Sequence, residues 1–205
     1  SSSSSPINNA LIGLDFTRSF YKNAFVTTSN LANLPGISVT RASTGYAEDL
    51  NGNLVSFGNN VARITNKGLL VEEARTNVLL QSTTLANFGA TNATNTTDGT
   101  LSLTGNLARK VTSLTAASTS FNYNIAGGAA AGANTVSVYA KRGSGSTHAN
   151  TFALRNATTA TTLVSIVVNY DTGVFSYSAG SSGAVVTPMA NGWWRISLTS
   201  SSFSA

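Results

Sequence analysis

The chain has 205 residues, of which 9% are charged and 41% hydrophobic, with no cysteine and a formal net charge of +5. That length and apolar content support a real core, and the missing cysteines exclude a disulfide framework, a thiolate metal site and any redox inference about compartment. No stretch approaches the roughly 18 uninterrupted apolar residues of a spanning helix, and the opening serine run lacks the basic and apolar segments of a signal peptide, so membrane insertion is not expected.

Charge this sparse lies far below the roughly 25% of ordinary globular domains. Ser, Thr, Asn, Ala and Gly fill the surface instead, which suits an extracellular or particle-bound β protein. The charge is also uneven. Up to Asp98 six acids balance six bases; beyond it Asp171 alone faces Arg109, Lys110, Lys141, Arg142, Arg155 and Arg195. Such an excess attracts acidic glycans, nucleic acid or an acidic partner. The plainer reading is a set of solvated charges that keep a neutral surface soluble, since no five-residue basic cluster exists.

Ser1 to Asn9 is low-complexity and expected to be a flexible leader. Ala10 to Phe16 is a short apolar strand candidate, and Thr17 to Leu34, anchored by Phe20, Tyr21, Phe25 and Val26, reads as an extended arm with short strands or a turn of helix, ending at the Pro35-Gly36 turn. Ile37 to Arg41 alternates with period two, which predicts a half-buried strand. Tyr46–Leu50 and Asn53–Phe57 flank Asn51-Gly52, the pair favoured where both central residues of a two-residue hairpin take positive φ. A calcium loop opening at Asp49, Asn51 and Asn53 fits poorly, because Leu54 stands where glycine is needed and Asn60 where a bidentate glutamate is needed. Val61 to Ile64 is a further short strand candidate, followed by a turn at Asn66-Lys67-Gly68.

Residues 68–82 place two of the seven carboxylates side by side, add an arginine, and bracket them with large aliphatics. Charge carried into apolar surroundings is tolerated only when paired and hydrogen-bonded. Arg75 is therefore expected to meet Glu72, Glu73 or a backbone carbonyl, with Glu73, Arg75 and Asn77 forming a structural polar junction. From Gln81 to Gly105 the Thr/Asn-rich composition suits surface loops and edge strands. Beyond it, strands are predicted at Leu107–Leu114, Ser120–Ile125, Thr135–Ala140, Thr151–Leu154, Thr161–Tyr170, Val174–Ser178, Ala184–Pro188 and Trp193–Thr199, at the spacing of a sandwich.

Catalytic candidates are few. The single histidine, His148, lies in a Gly/Ser-rich segment without a nearby acid, so a nucleophilic triad lacks its orienting group. Glu72 and Glu73 point to opposite faces of an extended segment and cannot by themselves form the carboxylate pair of a glycosidase. One histidine and few acids offer little to a metal, and no cofactor is implied. A binding site is easier to supply, because sugar rings stack on aromatic faces while their hydroxyls meet cations and amides. Tyr123, Tyr139, Lys141, Arg155, Tyr177 and Trp193 are the glycan-binding candidates. In the last strand Trp193 and Trp194 face opposite ways, and Trp194, which shares a face with Ile196 and Leu198, is assigned to the core. Nucleic acid is not favoured, since aromatic and basic residues do not interleave in a recognisable motif.

Three segments, Ile37 to Thr44, Gly68 to Ser82 and Asn191 to Leu198, resemble in order and spacing bacteriophage and prophage tail-fibre or virion-surface proteins with a lectin-like jelly-roll module. The resemblance implies a virion component, often oligomeric, with a carbohydrate-binding type of sandwich. The chain departs from it at the C-terminus, where the family runs on through further strands. The expectation is an all-β, jelly-roll-like β-sandwich over 83–205, preceded by an extended N-terminal arm and β-hairpin over 1–67 and a junction over 68–82. Its partners would be copies of itself, as a homotrimer, phage capsid or tail proteins, and bacterial surface polysaccharide. A purely structural decoration protein and a glycan-processing tailspike are the alternatives to a non-enzymatic adhesion role.

Overall fold

The computed structural model describes residues 12–72, 88–114, 120–122, 131–144 and 150–203. The chain divides into two compact units, Ser1–Arg75 and Thr76–Ala205. Among the described residues regular structure is antiparallel strand apart from two short 3-10 turns, Leu31–Asn33 and Ala190–Gly192. The all-β class expected from the sequence is the class the chain adopts.

The first unit opens with a three-stranded meander, β1 (Gly13–Asp15), β2 (Phe20–Lys22) and β3 (Thr27–Thr28). Its apolar centre is Tyr21 with Leu31 and Leu34, against which Phe16, Val26, Ala62 and Ile64 pack. Leu31 and Leu34 reach that centre through the first 3-10 turn, whose start is capped by Asn30 accepting from the Ala32 N–H; a short Asn side chain favours this local bond over strand pairing.

A hairpin follows, β4 (Gly45–Glu48) and β5 (Leu54–Phe57). Its loop is longer than the two-residue turn expected: the Asp49 N–H donates to the Asn53 carbonyl at 2.9 Å and the Gly52 N–H to the Asp49 carbonyl at 3.1 Å. Positive φ occurs at Gly52 alone (78°), not at Asn51, the pattern of a tight turn closed by a glycine bulge. Asp49 explains the preference. Its carboxylate accepts from the Asn51 and Asn53 N–H groups, each at 2.8 Å, and from the Asn53 amide, which consumes oxygens that a cation would require.

The alternating segment Ile37 to Arg41 is not a strand. Its end is tied to an irregular stretch: the Arg41 N–H donates to Asn60 Oδ1 at 2.9 Å, and the Asn60 N–H to the Arg41 carbonyl at 3.1 Å. The Arg41 guanidinium then reaches the carbonyls of Phe57, Gly58 and Val61. Period two without an available partner strand gives an extended clamp in place of a ladder. For the same reason regular pairing starts only at Ile64, where β6 (Ile64–Thr65) meets β7 (Gly68–Leu69). Glu72, expected as a possible partner of Arg75, has its carboxylate 2.6 Å from Arg63. Glu73, Arg75 and Asn77 lie outside the described residues.

The second unit begins with β8 (Gly89–Thr91), β9 (Ala93–Leu101), β10 (Leu107–Ser113) and β11 (Ser120–Asn122), with β8 paired to β11 and β9 to β10. β9 runs nine residues through the Thr/Asn-rich stretch expected as surface loops and edge strands; threonine is β-branched and fits a pleated surface without needing an apolar face. The rest is a two-sheet sandwich. One sheet orders β12 (Gly132–Lys141), β17 (Trp193–Phe203) and β16 (Ala184–Pro188); the other orders β13 (Thr151–Asn156), β14 (Thr161–Val168) and β15 (Phe175–Ala179). In each sheet the middle strand supplies the buried centre: Ile196 and Leu198 from β17, Val164, Ile166 and Val168 from β14. Burying five such side chains contributes on the order of 10 kcal/mol before entropy is counted.

Alternation along each strand sorts the remaining side chains. Val136, Val138, Ala140, Phe152, Leu154, Phe175, Ala184 and Val186 pack inward on that centre, leaving every second residue on the outer faces. The β14–β15 connection is built by Asn169, whose side-chain oxygen accepts from the Asp171 and Thr172 N–H groups at 2.8 and 3.3 Å. It ends at Gly173, at φ 72°, where an added Cβ would run into the Trp194 ring.

Candidate functional site

The outer face of the β12–β17–β16 sheet gathers residues that are far apart in sequence. Antiparallel register sets Lys141 opposite Trp193 and Tyr139 opposite Arg195, with Thr187 of β16 on the far side of Arg195. Directly opposed side chains have Cβ atoms roughly 4.5–5.5 Å apart and diagonal neighbours roughly 7–8 Å, within reach of aromatic and long side chains. The four therefore form a chequered group in which the two rings share one diagonal and the two cations the other. Tyr139 and Trp193 are half-buried, whereas Lys141 and Arg195 are exposed. Farther along the same face the register continues as a hydroxyl ladder, with Ser137 Oγ and Ser197 Oγ 2.6 Å apart and Thr135 Oγ1 and Thr199 Oγ1 2.8 Å apart.

The electrostatics of this group follow from a shortage of acid. Between Thr76 and Ala205 the sequence holds two carboxylates, Asp98 and Asp171. Asp171 pairs with Arg142 at 2.7 Å, and Asp98 accepts from the Thr100 N–H at 2.8 Å. Hydrogen bonding from the Thr100 side chain, then from its backbone, holds the Asp98 carboxyl below its ordinary value. Among the described residues no carboxylate lies within ion-pair reach of Lys141 or Arg195. Two rings and two cations without an acidic partner among the described residues can stack on a ring face and bind an anion beside it; they hold no nucleophile with a base.

The other candidates separate. Trp194 turns into the core as expected, its indole N–H donating to the Tyr170 carbonyl at 2.9 Å. Tyr177 also packs inward, edge-on to Phe175 with ring centroids 5.6 Å apart, and its hydroxyl accepts from the Ala184 N–H at 3.1 Å. It is a core residue that ties two sheets, not a surface for stacking. Arg155 belongs to the other sheet: β13 points Phe152 and Leu154 inward, which puts Arg155 outward, where Nη2 donates to the Ala160 carbonyl at 3.0 Å. There it braces a turn that takes Ala160 to φ 54°. Tyr123 and His148 lie outside the described residues. Arg195 was not among the sequence candidates, although standing two residues from Trp193 in a strand already placed both on one face.

A second concavity, a cleft of about 710 Å³, is lined by Arg142, Asn150 and residues of the β14–β15 hairpin from Val167 to Ser176. Two of its polar side chains are committed, Asn169 to the turn and Arg142 to Asp171. Beside it Tyr170 sits edge-on to Phe152, and burial pushes its phenol up to about 12. Asp171 is the one carboxylate among the described residues of that lining.

Fold and face together define an all-β protein of two compact units, the second a two-sheet sandwich with an aromatic and cationic outer row. No family model matches the sequence, no curated protein matches it, and no solved structure matches the fold.

Proposed function

We propose that the chain is a bacteriophage virion-surface protein whose sandwich is a lectin-like module, of jelly-roll-like type, that binds carbohydrate in host-surface adhesion without catalysis. The observation that carries this reading is the outer row of Lys141, Trp193, Tyr139 and Arg195, a surface of rings and donors of the kind that sugar recognition uses. The resemblance of Ile37 to Thr44, Gly68 to Ser82 and Asn191 to Leu198 to phage fibre proteins, and the scarcity of surface charge, support the same setting. The test is an array of bacterial glycans together with purified host envelope. Saturable binding that falls at least tenfold in Trp193→Ala is expected; blank results on both supports with the assembled protein refute it.

A second role, assembly into the particle, is favoured by the first unit. Phe25 is 93% exposed, Val71 79%, Ile12 70% and Leu50 67%, which leaves these apolar side chains available for contact with other chains. The partners proposed are further copies of the chain, as a homotrimer, and capsid or tail proteins. Phe25→Ser is expected to lower the sedimenting mass or the copy number per particle while thermal unfolding stays unchanged.

A further inference from the structure

Resting on the carbohydrate-binding reading of this face, we infer that its ligand is acidic: a polysaccharide whose sugars carry carboxylates, held by Arg195 and Lys141 while Trp193 and Tyr139 stack on the ring faces. Charge complementarity carries the step. The whole second unit contains two carboxylates, both engaged elsewhere, Asp171 on Arg142 and Asp98 on Thr100. Lys141 and Arg195, set on one diagonal of two adjacent cross-strand pairs, are left without an anion among the described residues. Neutral sugars are met by amides and carboxylates as readily as by cations, and a surface for them has no need of two uncompensated positive charges side by side. Arg195 further favours a carboxylate, because a planar guanidinium fork matches its two oxygens.

Single-stranded nucleic acid offers charge and rings as well, but its binders line a groove that tracks the backbone over several nucleotides. Here the cationic group is two residues, Lys141 and Arg195, and the face continues as the neutral Ser137–Ser197 and Thr135–Thr199 hydroxyl ladder. That ladder suits a hydroxyl-rich polymer running along the strands.

The experiment compares a polyuronate, the same polymer after reduction of its carboxyl groups to neutral alcohols, and a single-stranded oligonucleotide, using the full chain and calorimetry at two salt concentrations. Polyuronate is expected to bind and the reduced polymer to bind at least tenfold more weakly, with Arg195→Gln and Lys141→Gln each costing about tenfold on the acidic polymer. Both variants lie on the solvent face, so an unchanged thermal midpoint separates lost binding from lost folding. Equal binding of the acidic and reduced polymers, insensitive to the two variants, overturns the acidic ligand and leaves carbohydrate binding standing. Equal binding of oligonucleotide and polyuronate overturns it in favour of a general polyanion surface. Failure of both polymers, together with blank neutral and acidic glycans on the array, overturns the proposed function as well.

Discussion

Gly173 offers a sharp test of how the sandwich is closed. Its φ of 72° lies in the left-handed region, and a Cβ there would overlap Cζ3 and Cη2 of Trp194. For Gly173→Ala the backbone conformation alone costs roughly 1–2 kcal/mol. Relieving the overlap requires the hairpin or the indole to shift, at roughly 1–3 kcal/mol, and endangers the Trp194 bond to the Tyr170 carbonyl at 2.9 Å. The stiffer unfolded chain returns about 0.4–1 kcal/mol, leaving a net loss of roughly 1–5 kcal/mol. For a unit of this size the thermal midpoint should fall by roughly 3–15 °C. Both tryptophans of the chain belong to the second unit, so selectively excited tryptophan emission reports that unit alone. Gly143→Ala, where nothing lies within 4 Å, is the control and should leave the midpoint unchanged. A Gly173→Ala midpoint within about 1 °C of the parent would refute the closure described above.

Truncating the two tryptophans should divide stability from binding: Trp194→Ala is expected to cost roughly 3–5 kcal/mol in chemical unfolding, while Trp193→Ala keeps the midpoint and loses glycan retention. Arg41→Ala removes the donors to the Phe57, Gly58 and Val61 carbonyls; hydrogen exchange across 57–61 should accelerate, and Arg41→Lys should not restore protection, since an ammonium cannot reproduce the fork. At Asp49, hydrogen bonds from the Asn53 side chain and then its backbone N–H hold the carboxyl below its ordinary value. A depressed folded value means that its stabilisation is full above the unfolded value near 4 and fades as pH falls through the folded one. Asp49→Asn should flatten the acid limb of an unfolding-versus-pH profile, and an unchanged limb would refute the role given to this carboxylate.

Much of the sandwich was legible because its signals are local. Turn residues at Asp171-Thr172-Gly173 and Asn191-Gly192 bracket β-branched runs, and alternation placed Val136 and Val138 opposite Tyr139, as the packing confirms. The failures share a cause. Ile37 to Arg41 carries strand periodicity, yet a ladder needs a partner, and periodicity says nothing about whether one is nearby. Tyr177 is a candidate on residue type alone; only the facing sheet shows that its ring packs inward. The outer row itself depends on register between strands more than fifty residues apart in the chain, and register is set by the fold as a whole. Arg195 was the exception, a residue whose position followed from Trp193 and was overlooked because it was weighed as bulk charge.

β17 carries two independent messages on alternate residues. Trp194, Ile196 and Leu198 hold the core, while Trp193, Arg195, Ser197 and Thr199 compose the exposed surface. Substitutions in the second set leave the first untouched, so the outer row can be rewritten without renegotiating the fold. An insertion of one residue would exchange the two sets and destroy both. The sheet is thus a diversifiable scaffold: a library varying Tyr139, Lys141, Thr187, Trp193 and Arg195 together would change the outer row while the core residues of β17 stay the same.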